Sequence, residues 1–503
     1  MTSTSWPIRS AFAGVAAVAL LSGCTAVGPN FAPPATPAAQ GYAQAGDDAN
    51  PGPSQAAVGD KVIAEWWSLF HSKDLDALVR QAIANNRTLE AARARLAQAR
   101  DDAATEGGLL NADLSAGIKR ERANLNALSG GAFGSAGGGI PTNPEFNLYS
   151  LGPSVSYNLD LFGAKRRRVE SLTATAESQA RELDAAYLTL TGKVVDQALT
   201  IGDANTQIET LEAIAASDRA DLEMIRKAHA AGGASAADVA AAEQALAQDT
   251  AAIPAQRQRL AAARHRMAVL VGQSPSDWSP PNFDTQSGSL PMSFPVSLPS
   301  ALVRERPDIL EAEARLHAAT AEIGVATADL YPNITLSANL SQDALTAGTI
   351  FSNPSTSWAY GVGLTAPLFH SGELKAKQRK AKDAARAALA DYQETVLEAF
   401  NQVADSLQAV AHDNQAYADQ TRALTAASAR LEMARSAFRA GGASAEQVVR
   451  AERDWRRTRL ALSQQGAGRY ADAARLLLAT AHAPPGVAEA EKPDQEAGDV
   501  RRP

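Results

Sequence analysis

The 503 residues contain one thiol, Cys24, and it stands where a thiol can be modified. Arg9 precedes an apolar, alanine-rich run from Ala11 to Leu20, and Leu21-Ser22-Gly23 leads directly into the cysteine. About ten apolar residues are half of what a bilayer-spanning helix needs, but they match the core of a cleavable leader. Small residues before a cysteine form the pattern of a bacterial lipobox, where the thiol is diacylated and Cys24 becomes the first residue of the mature chain. A lone cysteine also excludes a disulfide within the chain.

Other chemistry finds little to work with. His71, His229, His265, His317, His370, His412 and His482 are scattered, with no pair at ligand spacing and no cysteine partner. The run Gly130-Gly131-Ala132-Phe133-Gly134 is not followed by Gly-Lys-Ser/Thr, so it is no phosphate loop. No Ser/His/Asp constellation stands out along the chain. Neither enzymatic activity, a cofactor nor a metal site is expected. The net charge of −8 argues against nucleic acid.

The elements that must position any site are written twice. Leu222-Glu223-Met224 with Ala231-Gly232-Gly233-Ala234-Ser235-Ala236 returns as Leu431-Glu432-Met433 with Ala440-Gly441-Gly442-Ala443-Ser444-Ala445, at an offset of 209 residues. Leu161-Phe162 likewise returns as Leu368-Phe369, and Ala77-Leu78-Val79-Arg80 as Ala301-Leu302-Val303-Arg304. Two such copies make a duplicated half rather than a solenoid. The expected organisation is a leader over 1–23, a Pro-, Ala- and Gly-rich tether over 24–60, a first repeat over 61–283, a linker over 284–299, a second repeat over 300–483, and a polar tail over 484–503.

Each repeat reads as helix, strand, loop, strand, very long helix, glycine turn, helix. The long helices are expected over about 164–231 and 373–440, and the returning helices over about 236–272 and 445–480. In the first, Leu183, Tyr187, Leu190, Val194, Ile201, Ala204, Ile208, Leu211, Leu222 and Ile225 fall at steps of three and four, a heptad seam interrupted by Gln197 and Asp218. At 1.5 Å per residue such a helix is a rod of roughly 100 Å.

Four segments alternate with period two, at about 113–122, 149–161, 333–341 and 358–369. Along the second, Tyr149, Leu151, Pro153, Val155 and Tyr157 alternate with Ser150, Gly152, Ser154, Ser156 and Asn158. Each run approximates the nine to eleven residues of a tilted transmembrane strand. Tyr149, Tyr157, Tyr331, Trp358 and Tyr360 lie near strand ends, where aromatic girdles sit. No apolar run of helical spanning length follows the leader, so a bilayer-inserted portion has to be a closed barrel. A soluble sheet with one face on a core alternates in the same way. Four strands cannot close an aqueous barrel, however, so strands must come from other copies.

These features resemble the outer-membrane factor family, the TolC-like ducts of tripartite efflux pumps, and especially its NodT-like lipoprotein branch. The carrying residues are Cys24 with Val27-Gly28-Pro29, Glu65-Trp66-Trp67 with Phe70, Arg304-Glu305-Arg306-Pro307-Asp308-Ile309, Leu330-Tyr331-Pro332 and the two Gly-Gly-Ala-Ser turns. The resemblance covers about 24–478. It implies a mixed membrane α/β fold: a homotrimer whose twelve-stranded outer-membrane barrel, four strands per chain, continues into a periplasmic α-helical barrel. It implies a passive duct exporting small molecules, anchored by lipid to the outer membrane. The implied partners are a periplasmic adaptor and an inner-membrane transporter of the proton-driven RND type. A duct for type I protein secretion shares the fold, and a structural coiled-coil lipoprotein shares the helix pattern.

In such relatives the glycine turns meet the adaptor, which points to Gly232, Gly233, Ser235, Gly441, Gly442 and Ser444. The residues alone also explain the turns, with Gly232 and Gly441 at positive φ and Ser235 and Ser444 as N-caps, matched by Asp238 and Gln447. Family aspartates that ring the tunnel entrance correspond to Gln447 and Arg450, a departure that leaves Asp238 and Glu243 as the acidic candidates there. Lys165-Arg166-Arg167-Arg168, and Lys375, Lys377, Arg379, Lys380 and Lys382, follow strands two and four. They fit either anionic headgroups or a solvated face.

Overall fold

The computed structural model describes residues 26–35, 41–42, 56–58, 64–107, 110–122, 145–283, 294–296 and 299–483. Cys24 lies outside the described residues, as do the leader and the tail. The elements are β1 (Ala56–Val58), α1 (Lys73–Asn85), α2 (Arg87–Glu106), β2 (Leu110–Arg122), β3 (Glu145–Asn158), α3 (Ala164–Ala230), α4 (Ala236–Leu270), β4 (Phe294–Val296), α5 (Pro299–Glu305), α6 (Pro307–Ala328), β5 (Asn333–Ala344), β6 (Thr356–Thr365), α7 (Glu373–Arg439) and α8 (Ala445–Thr480). The two long helices, α3 and α7, each have 67 residues. Each starts one residue after a glycine at positive φ, Gly163 at 76° and Gly372 at 84°.

The chain forms two compact units that cut across the sequence repeats: residues 1–32, 99–176 and 315–389 make one, and 33–98, 177–314 and 390–503 the other. The first unit holds the antiparallel sheet, in the order β2-β3-β5-β6. Both repeats supply a hairpin to it, because β3 pairs with β5 across the duplication. The β2–β3 ladder runs from Leu110↔Tyr157 to Arg122↔Glu145. It extends past the expected strand ends since backbone pairing needs no side-chain alternation. At the other end β3 stops at Asn158 rather than at 161, because Asp160 turns to φ 44°. There it accepts from the first amides of α3, Lys165 N at 2.9 Å and Arg166 N at 3.0 Å. β6 stops at Thr365 rather than at 369, ahead of Pro367, which has no N–H to donate to a ladder.

The second unit is helical around an aromatic and aliphatic core. Trp66 and Trp67 are fully buried and packed edge to face at 6.3 Å. Around them lie Leu75, Val79, Leu183, Tyr187, Met267, Val396, Val403 and Leu477. The single helix expected to open each repeat is a pair. Asn86 breaks the first, its side chain accepting from Thr88 N and Leu89 N and donating to Leu270 O at 2.9 Å. Arg306, held before Pro307, breaks the second, because a residue preceding proline is disfavoured in the α conformation. The tether and the linker each hold a short strand. Ala56–Val58 and Phe294–Val296 pair as parallel strands, and Val296 is buried in the core. Both segments carry apolar residues that composition averaged over a Pro-rich stretch conceals.

Candidate functional site: the open sheet and the helix turns

The register puts the two side-chain sets on opposite faces. Ala112, Val155, Ala338 and Tyr360 follow one another across the sheet, and so do Asp113, Ser154, Asn339 and Ala359. In a soluble sheet the apolar face would be covered. Here Leu114 is 74% exposed, Trp358 70% and Tyr360 80%, whereas Ser150, Ser154 and Ser156 of the central strand are half-buried. Trp358 and Tyr360, alternate residues of β6, stack at 5.8 Å with their rings parallel to 1°. On the edge strands the polar positions are exposed as well, so the sheet lies uncovered and its apolar face has no core to meet, as in a wall that meets lipid.

Among the described residues the sheet is also open at both edges. β2 and β6 each have one paired side, and a long exposed edge is a template for another chain. Within the sheet, Gly152 is indispensable: a Cβ there would lie 2.0 Å from Leu340 O. The polar face is small and hydroxyl-rich, with Ser341 and Ser357 both donating to Asp343 at 2.6 and 2.7 Å.

In the helical unit the two glycine turns have the same construction. Gly232 and Gly441 sit at φ 77° and 75°. Gly233 N donates to Ala228 O and Gly232 N to His229 O, and Gly442 to Ala437 O and Gly441 to Phe438 O, so both close α3 and α7 as Schellman motifs. Ser235 and Ser444 cap α4 and α8 in full capping boxes with Asp238 and Gln447. A Cβ on either glycine would meet nothing within 4 Å. The demand for glycine is conformational, and the turn surfaces are exposed.

The four expected entrance residues are all exposed, and two are engaged in charge pairs. Asp238 is held below the usual carboxylate range by Ser235's hydrogen bonds and then by the nearby Arg450 guanidinium. Glu243 pairs with Arg226 at 2.8 Å, and Arg450 pairs with Glu446. Asp238 and Arg450 come from different repeats, and the fold brings them within electrostatic reach. Sequence reasoning missed a buried group nearby. Asp218, 1% exposed, faces Arg453 at 3.6 Å and has its carboxyl pushed up to about 6 by burial and by Asp249. Its only signal was the interrupted seam. Of the basic run after β3, Arg167 is buried, Arg166 bonds Asp160 and Arg168 pairs with Glu322 at 2.8 Å, so these three are not a free headgroup-binding cluster. Lys375, Arg379, Lys380 and Lys382 on α7 are exposed, and Lys377 pairs with Glu373.

Against known proteins, the model of the outer membrane efflux protein family matches residues 78–273 and 298–482. The chain belongs to this family. The gap between the two matched segments coincides with the join between the repeats. Pyoverdine export outer membrane protein OpmQ of Pseudomonas aeruginosa is 31% identical over 400 residues, 78% of this chain and 81% of that protein. Nodulation protein T of Rhizobium leguminosarum bv. trifolii is 28% identical over 454 residues, 88% and 91% of the two chains. The solved outer-membrane channel OprN superposes with a TM-score of 0.79 at 28% identity, covering 91% of this chain and 99% of that one. The fold expected from the family resemblance is thus the fold found, and the chain is an outer-membrane efflux channel protein. Of these relatives, OpmQ is named for export and OprN for a channel.

Proposed function

We propose that three copies join through the open edges of β2 and β6 into one twelve-stranded barrel, and that the assembly is the outer-membrane exit of a tripartite pump for small molecules. The observation that carries this reading is the uncovered apolar face of the sheet, with both edges unpaired among the described residues. Exposing that face to water is unfavourable at roughly 25 cal/mol per Å², and lipid removes the penalty. Closing the edges satisfies the unpaired backbone groups that a bilayer cannot hydrate. The small polar face then lines the water-filled side.

In this reading Cys24 carries acyl chains that tether the chain to the outer membrane. The turns around Gly232, Gly233, Ser235, Gly441, Gly442 and Ser444 meet a periplasmic adaptor, which links the duct to a proton-driven RND-type transporter. Self-satisfied turns support this role, since they present a rigid surface whose own hydrogen bonds need no partner. Asp238, Glu243, Gln447 and Arg450 form the tunnel entrance, where Arg450 favours anions more than a ring of carboxylates would.

The experiment is export itself. A strain lacking the chain should accumulate small toxic compounds and recover on complementation. Loss of a secreted protein, with compound tolerance unchanged, would overturn the small-molecule assignment in favour of protein secretion.

A further inference from the structure

The residues just after Cys24 are locked to the joint between β3 and α3. Arg167, 4% exposed, reaches into the segment Ala26–Asn30. Its Nε donates to Val27 O at 3.2 Å, and its Nη2 to Asn30 Oδ1 at 2.6 Å and to Ala26 O and Gly28 O at 3.4 Å. Nη1 pairs with Glu170 at 2.7 Å. The backbone adds Val27 N to Phe162 O at 3.0 Å. Phe31 stacks on His317 at 4.4 Å, and His317 Nε2 lies 3.1 Å from the same Glu170.

Three glycines make room for this segment. A Cβ on Gly28 would come within 2.5 Å of Gly324 Cα, one on Gly163 within 2.5 Å of Ala26 Cβ, and one on Gly324 within 2.7 Å of Arg167 Cγ. A buried guanidinium is costly unless paired and fully hydrogen-bonded. Here it is paired and each of its three nitrogens has an acceptor, most of the acceptors being backbone carbonyls of one short segment. A planar fork that reads carbonyls holds a chain in place whatever its side chains.

Cys24 stands two residues before Ala26, so chain reach keeps it within about 7 Å of that residue. We propose that Arg167 is a positioning residue for the acylated N-terminus: its clasp on residues 26–30 fixes the lipid anchor at the base of the sheet, so that the anchor delivers the open strands to the bilayer where they close. This rests on the lipidation and barrel readings above. A tether free from its first residue would leave the acyl chains anywhere within its long reach. A clasped one makes the anchor part of the sheet's own geometry.

The test is a cycle on the full chain, purified and assembled in phospholipid vesicles. Arg167→Met is compared with wild type in the acylated form and in a Cys24→Ala form secreted behind an ordinary leader, and palmitate on the wild-type protein is measured first. Arg167→Met should slow formation of SDS-resistant trimer about tenfold in the acylated form, as loss of several charge-assisted bonds predicts, and leave the unacylated rate unchanged. Asn30→Ala, an exposed change that spares α3, should act in the same direction more weakly with helix content intact, which guards against a misfolded Arg167 variant. An equal slowing in both forms would make the clasp a structural bolt and overturn the proposal. No slowing in the acylated form would overturn it as well. Wild-type protein without palmitate would instead remove the lipidation reading, and the anchor role with it.

Discussion

Asp218 of α3 and Arg453 of α8 face each other at 3.6 Å inside the helical unit, yet neither Asp218 oxygen has a well-formed hydrogen bond to a basic group. The cation offsets only part of the burial penalty, and Asp249 brings a second carboxyl against the first. Asp221 on the same helix is also raised, chiefly by burial, with Arg456, Glu452 and Arg453 as its charged neighbours.

The pH dependence follows from that arrangement. The folded Asp218 carboxyl titrates at about 6 against 3.8 for a free one, so the folded state binds the proton more tightly and the contribution is fully present at low pH. It is lost as pH rises from about 4 through about 6, by at most about 3 kcal/mol. Thermal melts followed by helical circular dichroism should show a higher midpoint at pH 5 than at pH 7.5. Asp218→Asn should flatten this difference. An unchanged slope in that variant would assign it elsewhere, Asp413 being the next group, also pushed up to about 6 by burial and Asp472.

Gly152 and Gly117 make a controlled pair on adjacent strands. Alanine at 152 meets backbone, Leu340 O at 2.0 Å, whereas at 117 it meets only Ser150 Oγ at 3.7 Å. Gly152→Ala should abolish trimer formation, because a backbone clash in a ladder has no cheap relaxation. Gly117→Ala should assemble like wild type. Migration of unheated samples on SDS gels checks both.

Gly232→Ala and Gly441→Ala each put an L-residue at positive φ with no steric neighbour. Each should cost about 1 kcal/mol of local stability, read as faster hydrogen exchange confined to the turn. If the turns meet the adaptor, export should fall more than that cost accounts for. Unimpaired export in the double variant would remove the turns from the contact.

Arg450→Asp places a second carboxylate beside Asp238, which Arg450 now helps to keep ionised. The purified channel should shift toward cations, measured as a reversal potential in planar bilayers under a salt gradient. An unchanged potential would take Arg450 out of the entrance.

Much of this architecture was legible along the chain, for physical reasons. The period of two at Tyr149–Asn158 and the glycine–serine turns at 232–235 and 441–444 are local devices, and local devices are written locally. The strand ends were less legible, since pairing at Arg122↔Glu145 depends on a partner strand and not on side-chain pattern. Least legible were contacts made over distance. Asp218 reads as a flaw in a heptad seam until Arg453 arrives from the second repeat. Residues 26–28 read as part of a tether until Arg167 claims their carbonyls, and Arg167 itself reads as one of a basic run facing headgroups or solvent.

The most direct test of the central claim is single-channel recording on full-length protein purified from outer membranes, with its mass measured in the same detergent. The expected result is a trimer that adds stepwise, water-filled conductance to a planar bilayer. A folded monomer that leaves the bilayer silent would contradict this, because the uncovered apolar face and the two open edges would then have no lipid to meet and no partner to close them.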